Sequence, residues 1–143
     1  MMMRLINNKI LRYLSRLINI NLEVQSGYKC AAEIIKDENL KEIFIIYILK
    51  LNEYINELKR LEKELAGGKY IVSDQLKNIS FSSSDREEIS ILKKCEMLEE
   101  KSIREYEIIL NEEIPPNLKE LFLKQYNGLQ ESRLHLRALE DQY

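Results

Sequence analysis

The stretch LKEIFIIYILKLNEYINELKRLEKEL, Leu40 to Leu65, decides the fold. Leu40, Phe44, Tyr47, Leu51, Tyr54, Leu58, Leu61 and Leu65 return by steps of four and three, and none is charged. That is the period of an α-helix with one apolar stripe. A helix of this length spans about 40 Å at 1.5 Å per residue. Its stripe must be buried against helices of similar length.

Three more segments supply them. A first helix is expected over about residues 3–36, with Ile10, Leu14, Leu17, Val24, Tyr28, Ala31 and Ile35 on its stripe. The second occupies about 40–66. A third, about 85–111, carries Leu92, Cys95, Glu99, Ile103, Tyr106 and Leu110. A fourth, about 116–141, carries Leu118, Phe122, Gln125, Leu129, Ser132, Leu136 and Leu139. The ends have local causes. Asp37 and Asn39 can cap the second helix, and Asn39 with Glu42 imitates a capping box. Gly67-Gly68 stops it, because glycine takes the left-handed conformation cheaply. Ser84 with Glu87 forms an S-x-x-E box for the third helix. Ile114-Pro115-Pro116 separates the third from the fourth.

The connections are unequal. The first two helices are joined by very few residues, and so are the last two, so each pair should be an antiparallel hairpin. Residues 67–84 form a much longer link, able to travel the whole length of a bundle at about 3.3 Å per extended residue. It carries Tyr70, Ile71, Val72, Leu76, Ile79 and Phe81, which suit the side of a bundle. The expected fold is all-α: a ferritin-like four-helix bundle of two antiparallel hairpins joined by a long crossover, in a single domain over 1–143. Helix should fill about three quarters of the chain, against a base rate near one third.

Composition agrees. The 143 residues are 45% hydrophobic and 32% charged, with four Gly, two Pro and no Trp. That is a helix-former's inventory for one folded domain. A net charge of −2 offers no basic field for nucleic acid. The longest apolar run, Ile43 to Leu49, is far below the roughly 20 residues of a membrane span. The first apolar run is broken by Arg4, Lys9, Arg12 and Arg16 and lacks a cleavage site, so no leader is expected. A cytoplasmic location is the default. The basic start of the first helix raises a membrane-surface role, but it continues into a core stripe and suits a solvated face better. Cys30 and Cys95 form no metal spacing. Two thiols in a reducing compartment are expected, with a disulfide left open.

Several stretches together suggest a family. They are GYKCAAE (Gly27 to Glu33), ELKRLEKELAGG (Glu57 to Gly68), KKCEMLEEKSIREYEIIL (Lys93 to Leu110), Pro115-Pro116, and LRALED (Leu136 to Asp141). In this order and spacing they resemble a bacterial family of ferritin-like four-helix proteins known only as a domain of unknown function. The resemblance covers nearly the whole chain. It implies the fold and leaves activity open. The family usually carries a longer segment, with its own aromatic-containing helix, after the double glycine.

A di-iron site of the ferritin kind draws Glu from two helices and Glu-x-x-His from each of the other two. This chain has one histidine, His135, and no Glu-x-x-His. No catalytic residues, no cofactor and no phosphate loop are assigned. What stands out is Glu99, on a stripe where bundles place Leu. Near its level lie Asn21, Glu23 and Gln25 of the first helix, Leu51 and Tyr54 of the second, and Gln125 with Leu129 of the fourth. A buried carboxylate facing amides and a phenol can be a satisfied hydrogen-bond network. It can also be a weak metal or small-ligand site built on Glu99 and Glu23, and carboxylates without imidazole would then favour hard cations. Two function classes follow. The first is a non-catalytic bundle acting through protein partners or self-association as a homo-oligomer. The second is a degenerate carboxylate metal- or small-ligand binder.

Overall fold

A computed structural model of the protein describes residues 2–67 and 87–143, with side chains from residue 7 onward. Among the described residues there are four helices and no strand: α1 (Met2–Ile34), α2 (Glu38–Leu65), α3 (Glu88–Leu110) and α4 (Pro116–Glu140). Their stripes face one core. Leu14, Leu17, Val24 and Tyr28 of α1 meet Leu40, Phe44, Leu51 and Leu58 of α2. Leu92, Ile103 and Tyr106 of α3 and Phe122, Leu129 and Leu136 of α4 close it from the other side. The expected stripe members are all buried except Leu61, Leu65 and Leu110, which are half-buried near helix ends.

The helix starts refine the sequence expectations. Asp37 caps α2: its Oδ1 accepts from the backbone N–H of Asn39 at 2.9 Å and of Leu40 at 3.2 Å. Asn39 therefore lies inside the first turn, and the expected Asn39–Glu42 box does not form. A carboxylate at this position also complements the helix dipole. α3 begins at Glu88 rather than Asp85, and Glu87 at its N-cap makes no side-chain cap bond. The expected partner of Glu87, Ser84, lies outside the described residues, as does most of the 67–84 link. Gly67 follows α2 with φ of 65°, the left-handed stop expected of it. Pro115 and Pro116 start α4, where a missing N–H costs nothing.

Partner numbers give the helix directions. Tyr28 of α1 stacks on Phe44 and Tyr47 of α2, across the short 35–37 turn, as an antiparallel hairpin requires. Along α1 against α3, the pairs run Lys9–Glu112, Asn21–Tyr106 and Tyr28–Glu99, so these two are antiparallel as well. Along α2 against α4 they run Tyr47–His135, Lys50–Ser132 and Tyr54–Gln125, again antiparallel. α1 and α4 thus point one way and α2 and α3 the other. Tyr143, beyond α4, reaches the α1–α2 turn and donates to Asp37 Oδ2 at 2.6 Å. Among the described residues no helix is long and apolar enough to cross a membrane.

Candidate functional site

The polar residues on the inward stripes gather at mid-bundle. One run of hydrogen bonds crosses all four helices. Asn21 of α1 donates from Nδ2 to Leu17 O and to the Tyr106 hydroxyl, both at 2.8 Å. Tyr106 of α3 donates to Gln125 Oε1 of α4 at 2.5 Å. Gln125 Nε2 donates to the backbone carbonyl of Tyr54 on α2 at 3.4 Å. Asn21, Tyr106 and Gln125 are fully buried. Unpaired polar groups at these positions would each cost about 1–3 kcal/mol, so the run ties the register of the four helices together.

A second group lies two turns away along α1 and α3. Tyr28 donates to Glu99 Oε1 at 2.6 Å, and Glu99 is only 1% exposed. The Tyr28 ring packs against Tyr47, whose hydroxyl shares a hydrogen bond with His135 Nδ1 at the rim. Lys50 of α2 reaches across to α4, donating to Gly128 O at 2.7 Å and Ser132 Oγ at 3.1 Å. Gly128 admits this crossing. A Cβ there would collide with the Tyr54 hydroxyl and stand 3.2 Å from Lys50 Cε.

Burial sets the electrostatics. It pushes the Glu99 carboxyl up to about 7, while the Tyr28 hydrogen bond and the Lys50 charge pull the other way. Burial, and then the Glu99 charge, hold the Tyr28 phenol well above its ordinary range. Burial raises Tyr47 and Tyr54 to about 12. The Cys95 thiol is raised by burial and by Glu99, the opposite of what a nucleophilic cysteine needs. The layer also leaves polar atoms unpaired. Asn21 Oδ1, Glu99 Oε2 and Ser102 Oγ are buried with no hydrogen-bond partner. A protonated Glu99 supplies one donor itself.

The expected site residues separate. Glu99, Asn21, Gln25 and Gln125 turn inward, as the stripes require. Glu23 does not join them. It sits at the α1–α3 rim, where Oε1 accepts from Lys101 Nζ at 2.8 Å. The reason is rotation: residue 23 lies two positions from both Asn21 and Gln25, about 200° around the helix from each. A shared level along the bundle is not a shared face. His135 bonds Tyr47 and is remote from any Glu-x-x-His geometry. No group of three or more His, Cys, Asp or Glu side chains that could hold a metal ion forms among the described residues. Cys30 and Cys95 are both thiols.

Lys50 and Ser102 belong to the layer and were not singled out from sequence. Ser102 follows Glu99 by three residues, which puts it on the same side of α3. Lys50 sits off the α2 stripe and enters by its long stem, as lysines do. A groove of about 460 Å³ opens beside it between α2 and α4, lined by Tyr54, Leu123, Lys124, Gly128 and Glu131 among others. Glu99 itself lies below the surface, without exposure enough for a reacting molecule to reach it. Comparison of the sequence with protein-family models and with curated proteins finds no match.

Proposed function

We propose that this is a non-catalytic bundle protein that works by associating with protein, through the outward face of α2. One observation carries the reading: Ile45 is 45% exposed, Ile46 60% and Leu49 60%, side by side on a helix that is apolar all round in this stretch. Scattered surface aliphatics need no explanation, but adjacent ones on one face mark an interaction surface. Replacing Ile46 and Leu49 together by Glu is expected to leave helix content and melting unchanged while abolishing association in sedimentation. A large loss of stability in the doubly substituted chain would mean the face is covered within the chain, and would overturn the reading.

The ferritin-like arrangement is part of the same proposal, as is membership of the bacterial family that the sequence resembles. In it, residues 67–84 carry the chain from one end of the bundle to the other. The common direction of α2 and α3 supports this, since the end of one and the start of the next lie at opposite ends. A cytoplasmic location suits the two reduced cysteines.

A second reading has its own observation. Glu99 Oε2 is a buried carboxylate oxygen without a hydrogen-bond partner, as a weakly held hard cation would require. Elemental analysis of protein purified without chelators tests it, together with melting in added Mg²⁺, Ca²⁺ and Mn²⁺. The non-catalytic reading expects bound iron far below two per chain and no stabilisation by any of these ions. Stabilisation of the wild type that Glu99→Gln removes would establish the second reading.

A further inference from the structure

We propose that the occupant of the α2 face is a second copy of this chain, seated antiparallel across a two-fold axis. This rests on the reading of α2 as a docking face. The charges along that face carry the orientation. Outward and exposed on α2 come, in order, Glu38, Asn39 and Glu42, then Ile45, Ile46 and Leu49, then Asn52, Glu53 and Asn56, then Arg60, Lys63 and Glu64. One end carries two acids, the centre is apolar with the single acid Glu53, and the other end carries two bases against the one acid Glu64. Glu53 lies between Leu49 and Ile46 in angle around the helix, and Lys41 meets Glu38 at 3.9 Å within the chain.

A parallel pairing of this helix with itself would set like charge against like. An antiparallel pairing sets Glu38 and Glu42 of each copy against Lys63 and Arg60 of the other. The midpoint between Glu42 and Arg60 is residue 51, and that between Glu38 and Lys63 falls half a residue away. Leu49 is within about 3 Å of that midpoint along the axis, at 1.5 Å per residue. The same registration that pairs the ends therefore brings the two Leu49 side chains together near the two-fold axis, with Ile45 and Ile46 flanking them. One helix thus carries both halves of a self-complementary surface, which is what an isologous interface needs. Pairs of opposite charge at such a rim select orientation more than they add affinity.

The experiment is sedimentation equilibrium of the full chain over about 1 µM to 1 mM, with four variants and melting curves for each. The wild type is expected to reach twice its monomer mass, and Ile46→Glu to remain monomeric, melting like the wild type at concentrations where both are monomers. Glu42→Lys and Arg60→Glu should each weaken association by roughly fivefold to tenfold. Glu42→Lys/Arg60→Glu together should restore it to within about threefold, because the antiparallel register makes them partners in trans. A wild-type dimer broken by Ile46→Glu but not restored by the double reversal would keep the docking face and overturn the antiparallel arrangement. A wild-type monomer at every concentration, with Ile46→Glu as stable as the wild type, would leave the face free and overturn the second copy as its occupant. A monomer that Ile46→Glu destabilises strongly would overturn the docking reading along with this inference.

Discussion

The seam between α1 and α3 and the seam between α2 and α4 are built from similar parts to different ends. Each has one glycine that admits a side chain from the facing helix. At Gly27 the visitor is Leu98, and at Gly128 it is the Tyr54 hydroxyl with the stem of Lys50. The α1–α3 backbones lie close over their length, whereas α2 and α4 meet through side chains beside an open groove. The first seam is dry and holds Glu99 against Tyr28. The second is bridged by a cation resting on a helix carbonyl. Water is excluded where backbones approach, so the carboxylate there loses its charge most readily. Where the helices stand apart, a lysine keeps contact with solvent and supplies the countercharge. The polar layer thus runs from a buried carboxylate to a half-exposed lysine across the bundle.

Removing the carboxylate tests the dry side and should give the largest effect. The Glu99 carboxyl is raised from an ordinary value of 4.5 to about 7. Between those values the folded chain holds a proton that the unfolded chain has released, so stability falls as pH rises through that window. Glu99→Gln removes this dependence and keeps an acceptor for Tyr28. Urea unfolding should find the variant more stable than the wild type by on the order of 3 kcal/mol at pH 8, with no gap near pH 4. An equal stability at pH 8 would mean that the folded state satisfies a charged Glu99. Glu99→Leu should gain less, because it strands the Tyr28 hydroxyl.

The two glycines should part company next. Gly128→Ala forces the Tyr54 ring to move, an overpacking cost of about 1–3 kcal/mol that exceeds the gain in helix propensity. Gly27→Ala meets only the flexible end of Leu98, so the propensity gain should leave it near neutral. Equal losses at both sites in thermal unfolding would erase the distinction between the seams.

How much of this was legible in the sequence follows from what a single helix can encode. Stripe membership depends only on spacing, so Glu99, Gln125 and Ser132 were placed inward correctly. Helix ends depend on side chains within three or four residues, so Asp37, Gly67 and Pro116 were found, although Asp37 pre-empted the Asn39 box. Which helices adjoin depends on packing between segments some 70 residues apart, and no local pattern records it. That is why the Tyr28–Glu99 bond and the arrival of Lys50 were not foreseen. Glu23 shares the level of the layer but pairs with Lys101 at the rim, because rotation about the helix axis decides which side chains meet.

Lys50→Met tests the wet side. It removes hydrogen bonds to Gly128 O and Ser132 Oγ but keeps the apolar stem, so a loss of about 1 kcal/mol is expected. It also withdraws the positive charge that pulls the Glu99 carboxyl down. The pH window above should therefore extend above 7 in this variant, as followed by unfolding across pH. An unmoved window would show that the two seams do not communicate. The smallest effect belongs to the rim. Arg16 meets Glu105 at 2.6 Å, but Arg16 is 47% exposed. Arg16→Ala should cost no more than a few tenths of a kcal/mol in 0.15 M salt. A loss above about 1 kcal/mol would make the α1–α3 rim as consequential as its interior.

The antiparallel meeting of α1 and α3 also sets an order of events in folding. Within each hairpin the chain closes short loops, across residues 35–37 and 111–115, which form early at little entropic cost. The bonds that join one hairpin to the other span 71 residues at Tyr28–Glu99 and 85 at Asn21–Tyr106. They close far longer loops, at a higher entropic cost. Loop-closure cost favours forming this layer after the hairpins, so substitutions at Asn21, Tyr28, Glu99 and Tyr106 are expected to act chiefly on the rate of unfolding, as φ-values would show. A bundle organised this way has a lifetime set by its polar centre and a speed of assembly set by its short turns.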